Sequence, residues 1–159
     1  MFKAMGCAVV FLSLTLLGMG KYNTFFERKR VLESIRDGSV RIENIIRTVC
    51  APLHESFISG GEFYESAAKK IVSGFLPCDA VIDTASSYRC LKNDDLYIIQ
   101  NFAKGLSADD CEGQLSNIRL FIKSLEISLE NAKDELEKRG KLYIKGSILA
   151  ASAVVLLLI

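Results

Sequence analysis

Two stretches of this chain carry no charged residue, and they lie at its two ends. The first, Ala4 to Gly20, reads AMGCAVVFLSLTLLGMG. As an α-helix it reaches ~25 Å at ~1.5 Å per residue, against ~30 Å of bilayer hydrocarbon. The second, Gly146 to Ile159, reads GSILAASAVVLLLI. Leu142 and Tyr143 extend it to ~27 Å while Lys141 and Lys145 snorkel to the interface. An amphipathic core helix would show a polar residue every turn, and this tail has only Ser147 and Ser152. The expectation is a transmembrane segment over 1–21 and another over 142–159. A cleaved signal peptide is the rival for the first, with Lys3 as its basic start and Gly18 and Gly20 as small residues before a cleavage site.

Orientation follows from the basic residues next to these segments. Lys21, Arg28, Lys29 and Arg30 follow the first; Lys138, Arg139, Lys141 and Lys145 precede or enter the second; only Lys3 lies beyond. The middle of the chain is therefore expected on the cytoplasmic side of the cell membrane. With 159 residues there is room for one domain with a core, here 22–141. Apolar residues make up 50% of the chain and the net charge is +1, so no global field favours nucleic acid.

The middle has helical periodicity throughout and no sustained period-two alternation. Leu32, Ile35, Ile42, Ile46 and Val49 fall on one face, with Ser39 filling the missing step. Gly38 weakens that helix by ~1 kcal/mol relative to alanine and invites a bend. Ala51-Pro52 ends it, since the residue before proline avoids the α region. Pro52 then suits the first turn of a short helix. Gly60-Gly61 is a turn, followed by helices carrying Phe63, Ala67 and Ile71, then Val81, Ala85 and Tyr88, then Leu96, Ile99 and Phe102 behind an Asn93 cap. The last helix has Leu115, Ile118, Ile122, Leu125, Leu129, Ala132 and Leu136 in steps of three and four, a heptad seam over three heptads. The fold class read from this is all-α: an antiparallel cytoplasmic bundle of about five or six helices flanked by two membrane helices, with the last helix running from about 108 into the tail.

The stretch GLSADDCEGQL at 105–115 concentrates the polar chemistry of the chain. Ser107 is an N-cap residue and Asp110 stands three later, a capping box with Asp in place of Glu. Asp109 and Asp110 meet the positive end of the helix dipole, while Cys111 and Glu112 point about 100° apart, so the four do not converge on one ion. His54 is the only histidine and has no partner for a relay. Glu65 and Lys69 form an i,i+4 pair on a solvated face. The basic run ERKR at 27–30 suits anionic headgroups or topology alone. No catalytic residue, metal site or cofactor is expected. The five cysteines, at 7, 50, 78, 90 and 111, show no C-x-x-C spacing and read as reduced, buried thiols. A thiol-based redox or metal-responsive membrane protein using Cys50, Cys78, Cys90 and Cys111 is the rival function, with a two-span sensor as a weaker one.

The order of features resembles a known family. RIENIIRTVCAPLHESF supplies a glutamate and a Pro-Leu-x-Glu turn, here Glu43, Pro52, Leu53 and Glu55. LKNDDLYIIQNFAKGLSADDCEGQLSNI supplies a helix, a Leu-Gly-x-x-Asp-like turn and a glutamine four residues on, here Gly105, Leu106, Asp110 and Gln114, with the Leu-Gly pair reversed. Together with the two apolar ends, this resembles the stage III sporulation protein AB family of endospore-forming bacteria. The resemblance implies a helical bundle similar to the platform protein of type II secretion and type IV pilus systems. It also implies a place in the channel complex between mother cell and forespore, in the mother-cell membrane, beside a cytoplasmic secretion-type ATPase. Self-association through the heptad seam is an open option alongside packing within one chain.

Overall fold

The protein is described from a computed structural model. It covers residues 2–49, 53–107 and 111–158, without the side chains of 2–8, 10, 49, 53, 54, 107, 157 and 158. Among the described residues the structure is all-α, with no strand. The helices are α1 (Phe2–Val49), α2 (Leu53–Ile58), α3 (Glu62–Val72), α4 (Pro77–Ser86), α5 (Asn93–Lys104), α6 (Cys111–Glu135) and α7 (Lys141–Leu158). A 3-10 turn, Gly105–Ser107, follows α5, and a π turn, Leu136–Gly140, joins α6 to α7. Two compact units result: unit 1 combines 1–29 with 131–159, and unit 2 is 30–130.

Unit 2 is a helical bundle around an apolar core. Leu32, Ile35, Ser39, Ile42 and Ile46 of α1 are all buried, as their three-and-four spacing requires. Phe63, Tyr64 and Ala67 of α3, Val81 and Ala85 of α4, and Ile99 and Phe102 of α5 are buried with them. On α6, Ile118, Phe121, Leu125 and Leu129 are buried, while Leu115 and Ile122 are half-buried. Each fully buried Leu or Ile is worth about 1.5–3 kcal/mol against exposure.

Gly38 does not bend α1, which runs unbroken through it. Its role is closeness: a Cβ there would collide with the Gly60 carbonyl oxygen and lie 2.9 Å from the Tyr64 ring. The Gly60-Gly61 turn thus rests directly on the α1 backbone, and Gly61 takes φ 93°, which favours glycine. Helix α5 begins one residue from the expected cap. The Asp95 carboxylate, fully buried, accepts the Lys92 backbone N–H at 2.9 Å and so closes the first turn.

Unit 1 pairs the first part of α1 with α7. Gly18 is buried against α7, where a Cβ would strike Ser147, and a Cβ on Gly140 would lie 3.0 Å from the Tyr22 ring. Phe25 and Tyr143 stack with ring centroids 6.1 Å apart. Arg28 Nη1 donates to Glu135 Oε2 at 2.7 Å, with the arginine side chain only 6% exposed. Small residues at a crossing let the two backbones approach closely. Among the described residues no helix is long and apolar enough to cross a membrane; each apolar end is described only in part.

Candidate functional site

Of the motif residues singled out in the sequence, Glu43 and Gly105 occupy joints between the helices of unit 2. Glu43, on α1, accepts a hydrogen bond from Arg119 Nε of α6 at 2.8 Å. Because Arg119 is 56% exposed, the pair is worth at most about 1 kcal/mol, and its main effect is to fix the register of α1 against α6. Gly105 is required by closeness, its φ of −78° being ordinary. A Cβ there would lie 2.5 Å from the Asn117 amide, whose Nδ2 donates to the Phe102 carbonyl at 3.0 Å. Phe102 itself stacks flat on Phe121 at 4.1 Å between centroids. The 3-10 turn therefore clips α5 to α6.

Glu55 is exposed and Gln114 half-buried; both take part in interactions within the fold. Pro52 and Asp110, like Asp109, lie outside the described residues, as do the side chains of Leu53, His54 and Ser107. The backbone at Ser107 is in the 3-10 turn, and α6 is described from Cys111; residues 108–110, where the sequence places its start, lie outside the described residues.

Cys78 and Cys90 are half-buried and outside any disulfide. Cys111 departs from the reduced-thiol expectation, since it is disulfide-bonded, with a partner that is not among the described side chains. Its Sγ lies 3.7 Å from the Ile46 carbonyl oxygen, so the start of α6 sits against the end of α1.

Sequence reasoning placed Ser39 on the core face without saying what satisfies it. Its hydroxyl bonds Tyr64 Oη and donates to the Ile35 carbonyl at 2.8 Å. Burial pushes the Tyr64 phenol well above its usual pKa, against a lowering by the Ser39 bond. Tyr88, less enclosed, is raised by burial, then by the negative charge of Glu62 and by Cys90. These shifts stabilise neutral phenols and prepare neither group as a base at neutral pH.

Of the basic residues flanking the apolar ends, Lys21, Arg30, Lys138, Arg139, Lys141 and Lys145 are exposed. Lys138 donates to Asp134 at 2.6 Å, and that bond raises its pKa. Arg28 is instead interior, tied to Glu135. Nothing in its position in the basic run ERKR distinguishes it, but the i,i+3 and i,i+7 steps from Arg28 to Val31 and Ile35 put it near the core face.

Among the described residues no group of three metal-binding side chains converges. A groove of about 160 Å³ between α5 and α6 is lined by Ile98, Asn101, Phe102, Asn117, Leu120, Phe121 and Ser124. That is smaller than the ~300 Å³ at which small-molecule sites begin, and it holds no ionisable side chain.

The model of the stage III sporulation protein AB family matches residues 3–159. A solved structure described as "Stage III sporulation protein AB" superposes with a TM-score of 0.59 at 18% identity, covering 69% of this chain and 96% of that one. At that identity the superposition speaks for the fold alone. A search of curated proteins finds no match. With motifs that build helical joints, a bundle that superposes on a solved member and a family match spanning nearly every residue, the chain belongs to the stage III sporulation protein AB family.

Proposed function

We propose that this protein is a non-enzymatic, membrane-anchored platform component of the sporulation channel complex between mother cell and forespore, coupled to a cytoplasmic secretion-type ATPase. The observation that carries the anchoring is the outer surface of unit 1. Val9, Leu12, Leu16, Leu17 and Met19 on α1, with Leu142, Ile148, Leu149 and Leu156 on α7, are all exposed large apolar residues. Soluble monomers rarely leave a contiguous apolar patch beyond a few hundred Å² uncovered. Lipid acyl chains are the occupant that suits a surface of leucine and valine with small residues at the helix crossing. The basic residues beside it favour unit 2 on the cytoplasmic side.

Support for a platform is of a different kind: the motif residues Glu43 and Gly105 hold helices together, and the buried Ser39 and Asp95 are bonded within the bundle. The test is purification of the full chain from sporulating cells in mild detergent, followed by identification of what accompanies it. Recovery of a membrane fraction carrying a secretion-type ATPase in a stable ratio is expected. A full-length chain that stays dissolved without detergent, or that turns over a small molecule, would refute the reading. The mother-cell location is tested by a fluorescent fusion during engulfment.

The Cys111 disulfide favours a second reading, a thiol-responsive role for the same bundle. Titrating thiols before and after mild reduction separates the two. Under the platform reading, reduction leaves the co-purifying partners unchanged.

A further inference from the structure

The apolar track of α6 changes phase as the chain enters unit 1. Read in sevens from Leu125 and Ala132, it continues to Arg139, Gly146 and Ala153; read from Leu129 and Leu136, it continues to Tyr143 and Ala150. All five of those positions are exposed. The inward positions are each one residue later: Gly140 and Ala151 are buried, and Ile144, Ser147 and Val154 are half-buried.

The break between the two tracks falls on the π turn Leu136–Gly140. A turn closed by i→i+5 bonds holds one residue more than an α turn, and such single turns recur inside α-helices at functional positions. Within unit 1, contacts to α1 are kept on both sides of it. Glu135 pairs with Arg28 before the turn. Gly140, the last residue of the turn, and Ser147 beyond it meet Tyr22 and Gly18. An uninterrupted α-helix would rotate the following residues by about 100° relative to this arrangement. It would then present Arg139 in place of Gly140 to the Tyr22 ring.

We infer that the π turn is a register joint: it absorbs one extra residue so that the end of α6 and all of α7 keep the same partner, α1. No single residue of the turn is the extra one. Removing any exposed member should let the turn close as ordinary α-helix with both tracks in line. Adding a residue should turn α7 away.

The experiment uses the full chain in membranes with Phe25→Cys and Tyr143→Cys, joined by a short bismaleimide and mapped by peptide mass spectrometry to set aside the native cysteines. Three further chains carry a deletion of Glu137, a deletion of Lys138, or one alanine inserted between them. The link is expected at parental yield in both deletions and lost in the insertion. Loss in both deletions, including failure of both to fold, overturns the joint. Retention in the insertion overturns it too, because helix phase would then not matter.

Discussion

Leu125 in unit 2 is fully buried, whereas Leu149 in unit 1 leaves 70% of its surface open. The contrast recurs along the long helices: Leu32, Ile35, Ile42 and Ile118 are enclosed, while Leu12, Leu16, Leu17 and Leu156 face outward, although Val72, Leu76, Leu120 and Ile127 of unit 2 are open as well. Both units are helical and rich in leucine, so helix formation and apolar content do not separate them. What differs is whether large side chains are also taken inside. Unit 2 places Tyr64, Phe57 and Ile99 inside, and unit 1 places Gly18, Gly140 and Ala151 inside. Large residues inside suit a bundle that gains stability by taking apolar surface out of water. Small residues at the crossing with large ones outside suit the lipid surroundings proposed for unit 1.

The sharpest way to break this contrast is a matched pair of truncations in the full chain, followed by unfolding in mild detergent. Leu125→Ala should cost about 2–5 kcal/mol through the lost side chain and the cavity left behind. Leu149→Ala should shift the midpoint little, because no packed neighbours are lost. Equal losses would show that the outer face of unit 1 is packed after all. Next in size is Arg28→Ala, at about 3 kcal/mol, the low end for an interior charge stripped of its partner because Glu135 keeps some solvent. Arg28→Met with Glu135→Gln should recover most of it, and failure to do so would shift the weight from the ion pair to arginine packing. Gly38→Ala should follow at about 1–3 kcal/mol, since the colliding group is a backbone oxygen that cannot swing aside. Gly20→Ala, with open space around it, is its control.

The smallest effect is in the alkaline range. Tyr64 is held above its ordinary pKa of 10.0, so the folded state keeps a proton that the unfolded chain gives up. The stabilisation is present in full below pH 10 and drains away as pH rises beyond it. Tyr64→Phe should cost about 1 kcal/mol at neutral pH by removing the Ser39 bond, and should flatten the decline above pH 10. Measuring unfolding midpoints of both chains at pH 8, 10 and 11 checks this; parallel declines would assign the sensitivity elsewhere.

Much of unit 2 was legible because α1 and α6 carry their core residues at strict helical spacing, from Leu32 to Ile46 and from Ile118 to Leu129. The polar satisfactions were not. Asp95 looks like one of two interchangeable first-turn acids, yet it alone is buried and bonded to Lys92. Gly38 and Gly105 read as a weak point and part of a turn, whereas the structure uses both for close approach between distant segments. Sequence spacing along one helix carries no record of what crosses it. The π turn is a middle case: the one-residue phase slip is written in the sequence, but only burial on both sides reveals which track each half follows.

The Gly18–Ser147 approach has a mechanical consequence. Any side chain at position 18 would have to push α7 off α1, because even its first carbon would collide with Ser147. The pair is a clasp that closes only while that position stays bare.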